Sequence, residues 1–437
     1  MRTKRRCSRG ARGARYACLI AAALPFGVAW GDWEAVSDVE MGVEGNDNPR
    51  LGQRSDLQDP DAPPDEDHTA VRMFTDARVQ LANVGPRGNV YLQPRARLDT
   101  YADEADDDLQ RDDLYLDSNA SYDWTRTSAG LRANLARESI LSTELLEAEI
   151  LDPDGVIVDP IDTESGRLVL LDEHRNRVLI APYADFTVSE RSDVTLEASH
   201  LDISYTGPEV SGRTDFTDTR LALGVARSID DRTRAEARLI ASNYEADLTQ
   251  NETDTVGVEG TFRRTLNEAW SFFLSTGLQR SEFRFVDADG ELVDNASTDY
   301  TLNIGFRKRT VQSTLNLDIQ RLLTPNAVGF LTERNQLRVF YRHRMTERLT
   351  GGFAFRYTDT GVLDDPTGFE RDYTRLDLDL EWAFTPTWSL NVGLGAIDQK
   401  FTGDREDGSA TLFSMGVVYR GLSRQDAGGL PRRDAAP

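Results

Sequence analysis

Strict alternation of apolar and polar side chains constrains this chain most, and residues 373–396 show it best. In YTRLDLDLEWAFTPTWSLNVGLGA, leucines, aromatics and a valine occupy alternate positions before and after the Thr385-Pro386-Thr387 turn. Successive side chains of a strand point to opposite faces, so the segment predicts a β-hairpin with one apolar and one polar face. One hairpin alone leaves open which face points inward.

The same alternation recurs from residue 33 to residue 420, in segments of about ten residues. Short turns alternate with longer polar loops along the chain. The predicted strands are 33–43, 71–81, 89–101, 113–125, 128–140, 177–188, 193–205, 217–228, 233–245, 253–264, 269–283, 297–307, 311–322, 335–344, 349–359, 373–384, 388–398 and 409–420.

An even number of alternating strands with short turns on one side is typical of an outer-membrane β-barrel. In lipid every backbone polar group must be paired within the protein, so only a closed sheet is stable there. We therefore predict an all-β fold: a transmembrane antiparallel β-barrel of about 18 strands, with short periplasmic turns and long extracellular loops. A soluble β-sandwich or propeller is the alternative.

One predicted strand changes phase. Val194, Leu196 and Ala198 share one parity, whereas Leu201 and the apolar residues after it lie on the other. If all of them face the same side, a β-bulge must lie near residues 199–200.

The first 31 residues read as a secretory signal peptide: seven basic residues, an apolar stretch over 17–29 and a small-residue site ending at Gly31. An N-terminal membrane anchor is the alternative. Both cysteines, Cys7 and Cys18, lie in this segment, so the exported chain has none. The predicted organisation is a signal peptide over 1–31, a barrel over 32–420 and a disordered periplasmic tail over 421–437.

The exported chain is strongly acidic. Loss of the seven basic residues changes the formal charge from −24 to −31, which argues against a nucleic-acid partner. Three loops, over 46–68, 102–113 and 141–176, carry −19 of this charge. They are interpreted either as a solvated surface or as a mouth that repels polyanions or binds divalent cations near lipopolysaccharide.

The tryptophans of the predicted barrel cluster at the short-turn end of the strands. An aromatic girdle at the membrane interface predicts such clustering, because the indole ring is buried in lipid while its N–H stays hydrated. The predicted periplasmic girdle consists of Trp33, Trp124, Trp270, Trp382 and Trp388.

If the apolar parity faces lipid, the polar parity lines a lumen that is wide enough at 18 strands for water. The functional interpretation is an arginine track that guides an anionic solute or a sugar chain. The structural one is a network of cross-strand ion pairs that stiffens the wall. The main lumen candidates are Arg72, Arg78, Arg95, Arg97, Arg220, Arg238, Arg338, Arg342, Arg375, Asp377, Asp379 and Glu381.

Two loops share the pattern D-x-D-G-x-x-V-D, which begins at Asp152-Pro153-Asp154 and at Asp287-Ala288-Asp289. Calcium binds such oxygens, but the spacing differs from an EF-hand, and Asp-Gly is also a common turn. No metal site and no cofactor are therefore predicted. The four histidines accompany no catalytic motif, so no enzyme activity is expected.

The basic leader, the acidic first strand running into Glu44-Gly45-Asn46-Asp47-Asn48-Pro49-Arg50-Leu51 and the Leu/Tyr-rich last strand resemble outer-membrane β-barrel porin families found beside bacterial exopolysaccharide genes. The resemblance implies an outer-membrane pore in a Gram-negative bacterium, with exopolysaccharide as a candidate for the transported polymer. It carries over no catalytic residue. In one departure, residues 421–437 follow the aromatic end of the last strand, which the barrel assembly machinery reads in such proteins.

Two functions follow from the sequence. The first is a pore for passive diffusion or for passage of polysaccharide or small solutes across the outer membrane. The second is a structural or adhesive barrel that long acidic extracellular loops close. The expected partners are outer-membrane lipid, lipopolysaccharide and the assembly machinery.

Overall fold

The computed structural model describes residues 33–49, 69–103, 109–140, 174–206, 213–247, 251–286, 292–325, 331–362, 370–402 and 407–421. No helix in these segments is long and apolar enough to cross a membrane. The predicted signal peptide and almost all of the predicted tail lie outside the described residues.

Eighteen strands make up nearly all of the described chain. They are β1 Trp33–Asn46, β2 Ala70–Val84, β3 Gly88–Tyr101, β4 Asp112–Asp123, β5 Thr127–Ser139, β6 His174–Ser189, β7 Ser192–Thr206, β8 Phe216–Asp230, β9 Thr233–Ala246, β10 Asn251–Thr265, β11 Trp270–Val286, β12 Leu292–Arg309, β13 Ser313–Pro325, β14 Leu331–Arg344, β15 Leu349–Val362, β16 Glu370–Ala383, β17 Trp388–Phe401 and β18 Gly408–Arg420.

The sheet is a closed antiparallel barrel. Each strand pairs with its neighbours in sequence, and β1 also pairs with β18, from Asp38 opposite Arg420 to Asn46 opposite Leu412. Closure pairs the first described strand with the last, so the sheet has no open end. The fold prediction of an 18-stranded antiparallel barrel is confirmed.

The two faces of the wall have the reverse polarity of a water-soluble protein. Large apolar side chains such as Met73, Leu239 and Leu278 are exposed on the outer face, whereas arginines, acids and hydroxyl residues on the inner face are often buried. A soluble barrel would bury its apolar side chains, so this arrangement requires an apolar solvent around the wall.

Most strands are longer than predicted: β12, for example, runs over Leu292–Arg309, whereas the predicted strand was 297–307. On β11 the outer face is apolar from Trp270 to Leu278, with Thr276 as the one exception, and then becomes charged, with Arg280, Glu282 and Arg284. The apolar part spans about 26 Å along the strand. Hydrogen-bonded ladders therefore continue past the apolar band into a charged collar, which on β16 adds residues 370–372 to the predicted strand.

Short turns join the strands at one end of the barrel, called here the short-turn side, and longer connections join them at the other, the loop side. In the turn between β8 and β9 the Arg232 N–H donates to the Asp230 carboxylate at 2.8 Å. This backbone hydrogen bond holds the pKa of Asp230 below its ordinary value.

The predicted bulge near Ser199-His200 is wrong. The register runs without a shift through these residues, with Ser199 opposite Arg220 and His200 opposite Thr219. Leu201 and Ile203 instead point into the barrel and are each only 1% exposed. The phase change arises because this part of the lumen is apolar, so no extra residue is needed to turn these side chains outward.

Candidate functional site

The lumen is the candidate site, because charged side chains line its wall at the height where the outer face is apolar. The structure places the predicted lumen residues on the face opposite the exposed apolar side chains. In the cross-strand register this inward set contains Arg72, Arg78, Arg95, Arg97, Arg220, Arg238, Arg338, Arg342, Arg375, Asp377, Asp379 and Glu381.

Asp99 is the centre of a buried ion-pair cluster near the loop side. Its side chain is 0% exposed and contacts Arg72, together with Arg111 at 2.6 Å and Arg97 at 3.7 Å. Arg72 also binds Glu44, with its Nη2 at 2.7 Å from a carboxylate oxygen. One buried carboxylate thus links three arginines from β2, β3 and the segment before β4.

A second buried pair lies on the neighbouring strands. Arg175 of β6 donates to Glu138 of β5 at 2.7 and 3.1 Å, and both side chains are 1% exposed. Glu138 lies directly opposite Arg175 in the register. The loop-side part of the lumen therefore contains charged groups that are shielded from water and paired.

Apolar packing also fills part of the loop side. Leu109, in the connection between β3 and β4, is 1% exposed and packs against Tyr373, Ile397, Ala410 and Leu412. These four residues face inward on β16, β17 and β18, on the far side of β1 and β2. The connection was predicted to be part of an acidic external loop, but Leu109 packs inside the lumen, where these apolar side chains shield it from water.

A second apolar cluster lies on the opposite part of the wall. Leu201, Ile203, Phe216, Tyr244 and Ala246 are buried together, with the rings of Phe216 and Tyr244 5.5 Å apart. Their inward orientation follows from the register of β7, β8 and β9. We call the part of the lumen that contains both apolar clusters and the Asp99 cluster the loop-side half.

The short-turn half of the lumen, near the opposite end, is wetter. Arg78 binds Asp38 at 3.0 Å with 42% of its side chain exposed, and Arg95 binds Asp76 at 2.9 Å. Arg342, which is 46% exposed, binds Glu381 at 2.8 Å. These groups have the same chemistry as those of the loop-side half, but water reaches them.

A row of three arginines crosses one wall between the two halves. Arg338, Arg356 and Arg375 lie directly opposite one another on β14, β15 and β16. Arg375 donates to Asp377 at 2.8 and 2.9 Å, and Asp318 lies opposite Arg338. Like charges directly opposite each other in a sheet repel one another. Three adjacent arginines also make the electrostatic potential more positive at this level of the lumen.

Other predicted lumen residues take different roles. Asp379 fills the space above Gly352, where a larger residue has no room. Arg220 is half-buried between Ser199 and Ser242. Arg238 contacts Glu236.

A recess of about 300 Å³ is cut into the short-turn half of the wall between β6 and β10. Its lining residues are Asp185, Thr195, Glu197, Arg234, Glu236, Arg238, Thr261 and Arg263. Gly224 of β8 lies between Thr195 and Arg238 in the register, and a Cβ there would meet Glu236 at 3.1 Å. The sequence prediction missed the role of Asp185 and Gly224, although the inward parity of their strands contains both.

All five predicted girdle tryptophans lie at the short-turn side. Trp33, Trp270 and Trp388 begin strands, Trp382 is the penultimate residue of β16, and Trp124 follows β4 directly. All but Trp270 are exposed. Trp388 packs on Tyr419 with ring centres 5.0 Å apart, and Trp124 packs on Tyr122 at 4.7 Å.

The weak calcium candidates Asp152, Asp154, Asp287 and Asp289 lie outside the described residues. Within the ranges that the structure describes, no group of three or more His, Cys, Asp or Glu side chains is arranged to hold a metal ion.

No protein-family model matches the chain, and no curated protein matches it. The resemblance to porins of exopolysaccharide loci therefore stays a prediction. Similar solved structures include Pseudomonas aeruginosa OpdK with vanillate, at 11% identity and a TM-score of 0.42, covering 89% of this chain and 98% of that chain.

Two other similar structures come from the same kind of comparison. Pseudomonas aeruginosa OccK2 in complex with glucuronate has 11% identity and a TM-score of 0.44, covering 90% of this chain and 99% of that one. Acinetobacter baumannii OccAB3 has 13% identity and a TM-score of 0.42, with the same coverage. At such identities, function has to be argued from this chain's own residues.

Proposed function

We propose that the chain is an outer-membrane pore for diffusion of small polar solutes, exported by the signal in residues 1–31. The observation that carries the proposal is the reversed polarity of the wall: exposed apolar side chains outside and a charged lumen inside. An apolar outer band suits lipid, and an inner wall of ion pairs suits water and polar solutes.

The packing of the loop-side half favours small solutes over a polymer. Leu109 and Leu201 are buried inside the barrel, and the Asp99 cluster is shielded from water. A chain of sugars needs a continuous wide path, whereas small molecules need only a narrow one beside such packed groups. Polysaccharide passage, suggested by the sequence resemblance, stays a prediction.

The same packing also supports the rival proposal, a sealed barrel with a structural or adhesive role. The two proposals differ in one physical property, which is continuous water through the lumen. A sealed barrel holds the same ion pairs but passes no current.

Planar-bilayer recording separates the two. The chain from residue 32 onward is refolded in detergent, its folding is checked by the shift in gel mobility on heating, and it is inserted in a bilayer. The pore proposal expects stable open current steps from the folded protein. Folded barrel that inserts and gives no steps would reject the pore and favour the sealed barrel.

A further inference from the structure

The recess between β6 and β10 holds charges of both signs, and most of them are already paired with each other. Arg238 contacts Glu236 and lies 3.6 Å from Glu197. Arg234 binds Asp193 at 3.0 Å. These paired groups are two arginines and three carboxylates, so together they carry no surplus of positive charge.

The two ends of the recess are different. Within the described part of the chain, neither Arg263 at one end nor Asp185 at the other makes an ion pair. Asp185 accepts only a long hydrogen bond, from the Ser128 hydroxyl at 3.4 Å. One positive and one negative charge thus remain for a bound molecule, at opposite ends of the same cavity.

The positive end suits a carboxylate. Arg263 of β10 lies directly opposite Arg234 of β9, and both side chains are exposed to the lumen. Arg234 already binds Asp193, so Arg263 supplies the positive charge that is left for an anion, with the Arg234 guanidinium beside it as a second donor. Guanidinium groups bind a carboxylate through paired, charge-assisted hydrogen bonds.

The negative end suits an ammonium group, because the Asp185 carboxylate accepts hydrogen bonds. Thr195 lies directly opposite it, which adds a hydroxyl to the same end. Between the ends, Gly224 has no side chain of its own, and the side chains of Glu236 and Arg238 lie over it. A bound molecule therefore lies across these polar side chains, between the two end charges.

The spacing of the ends sets the length of the molecule. Four strand spacings separate β6 from β10, which is about 19 Å between backbones. The arginine and aspartate side chains shorten this gap to roughly half, and an extended peptide advances about 3.4 Å per residue. About three residues fit, whereas a single amino acid holds its two charges too close together.

We propose that this recess binds short peptides of about three residues with free termini, the carboxylate at Arg263 and Arg234 and the ammonium at Asp185. The proposal rests on the proposed pore function, since it names a class of solute for the same lumen. It deepens that function by adding a weak selective site on the short-turn side of the pore.

The test is isothermal titration calorimetry on the refolded barrel in detergent, with trialanine as the probe. The matched probes are alanine, N-acetyl-trialanine and trialanine amide, all at equal ionic strength. Arg263→Gln and Asp185→Asn remove the two end charges. Arg264→Gln is the control, because this neighbour of Arg263 carries the same charge on the outer face.

Trialanine should bind the wild-type barrel, and each capped peptide should bind at least about tenfold more weakly, since each lacks one charge-assisted contact. Arg263→Gln and Asp185→Asn should each lower the affinity for trialanine by a similar factor. Arg264→Gln should leave that affinity unchanged. The absence of heat with trialanine, equal binding of the capped peptides or an unchanged Arg263→Gln affinity would each overturn the proposal. Calorimetry does not depend on current. A barrel that binds trialanine but passes no current would therefore reject only the pore, and an open pore that binds no trialanine would reject only the binding site.

Discussion

The two halves of the lumen use the same residue types in opposite ways. In the loop-side half, Asp99 and its arginines are shut away from water and lie near apolar clusters built on Leu109 and Leu201. In the short-turn half, pairs such as Arg78 with Asp38 remain in contact with water. The difference shows that a charged inner wall does not by itself make an open channel, since packing decides how much of it water reaches.

The largest expected contrast comes from breaking one ion pair in each half. Asp99→Asn removes the carboxylate that Arg72, Arg97 and Arg111 share, and two of these three arginines are buried. The substitution should lower the free energy of unfolding by about 3–5 kcal/mol. Asp193→Asn, which removes the partner of the exposed Arg234, should cost about 0–1 kcal/mol. Urea unfolding in detergent measures both, and equal costs would contradict the division into a packed and an open half.

A second contrast tests the inner and outer faces of the short-turn half. Leu380 is exposed in the middle of the outer apolar positions of β16, so Leu380→Arg should cost roughly 2–4 kcal/mol and impair assembly. Asn391→Arg on the adjacent strand points inward beside Glu381 and Glu40, where an added cation is neutralised. The yield of heat-modifiable folded protein should fall for the first variant only. Similar yields would mean that the faces are assigned the wrong way round.

Leu109 links the packing of the loop-side half to transport. Leu109→Ala removes most of the side chain that contacts Tyr373 and Ile397, at a cost of about 2 kcal/mol or more. The connection before β4 should loosen and the single-channel conductance should rise. Leu98→Ala on the outer face is the control and should leave the conductance unchanged. If neither substitution changes the single-channel current, Leu109 does not limit the flow of ions through the lumen, and the prediction is wrong.

The smallest expected effect concerns the arginine row. Arg356 lies between Arg338 and Arg375, so Arg356→Gln lowers the positive potential at that height by one charge. The reversal potential in a salt gradient should shift toward cation preference, and more strongly at low ionic strength because salt screens the lumen. Arg280→Gln on the outer face should give no shift.

The sequence predicts the barrel well because alternation is a local property that lipid enforces on every strand. Eighteen strands and the start of β1 at Trp33 follow from it. Strand length is predicted less well, because above the apolar band residues such as Glu370 and Asp372 of β16 keep the ladder while losing the apolar signal. In those parts a paired strand and a polar loop have the same composition.

The packing inside the lumen was beyond prediction for a different reason. Alternation assigns every apolar side chain to the lipid face, so it predicts a bulge where Leu201 and Ile203 in fact point inward. Leu109 sits in an acidic stretch, and nothing local signals a contact with Tyr373, more than 200 residues later. Such contacts depend on which strands face each other across the barrel, and alternation carries no information about that.

Two serines on β11 allow the most direct test of the two halves. Both side chains face inward: Ser275 is half-buried and bonds the Thr261 hydroxyl at 2.8 Å, whereas Ser281 is 0% exposed and bonds the Thr255 hydroxyl at 2.9 Å. The predicted exported chain has no cysteine, so Ser275→Cys and Ser281→Cys each carry a single thiol. A charged, water-soluble thiol reagent should label the first quickly and the second much more slowly. Equal rates of labelling in the folded barrel would contradict a lumen that is open on its short-turn side and packed on its loop side.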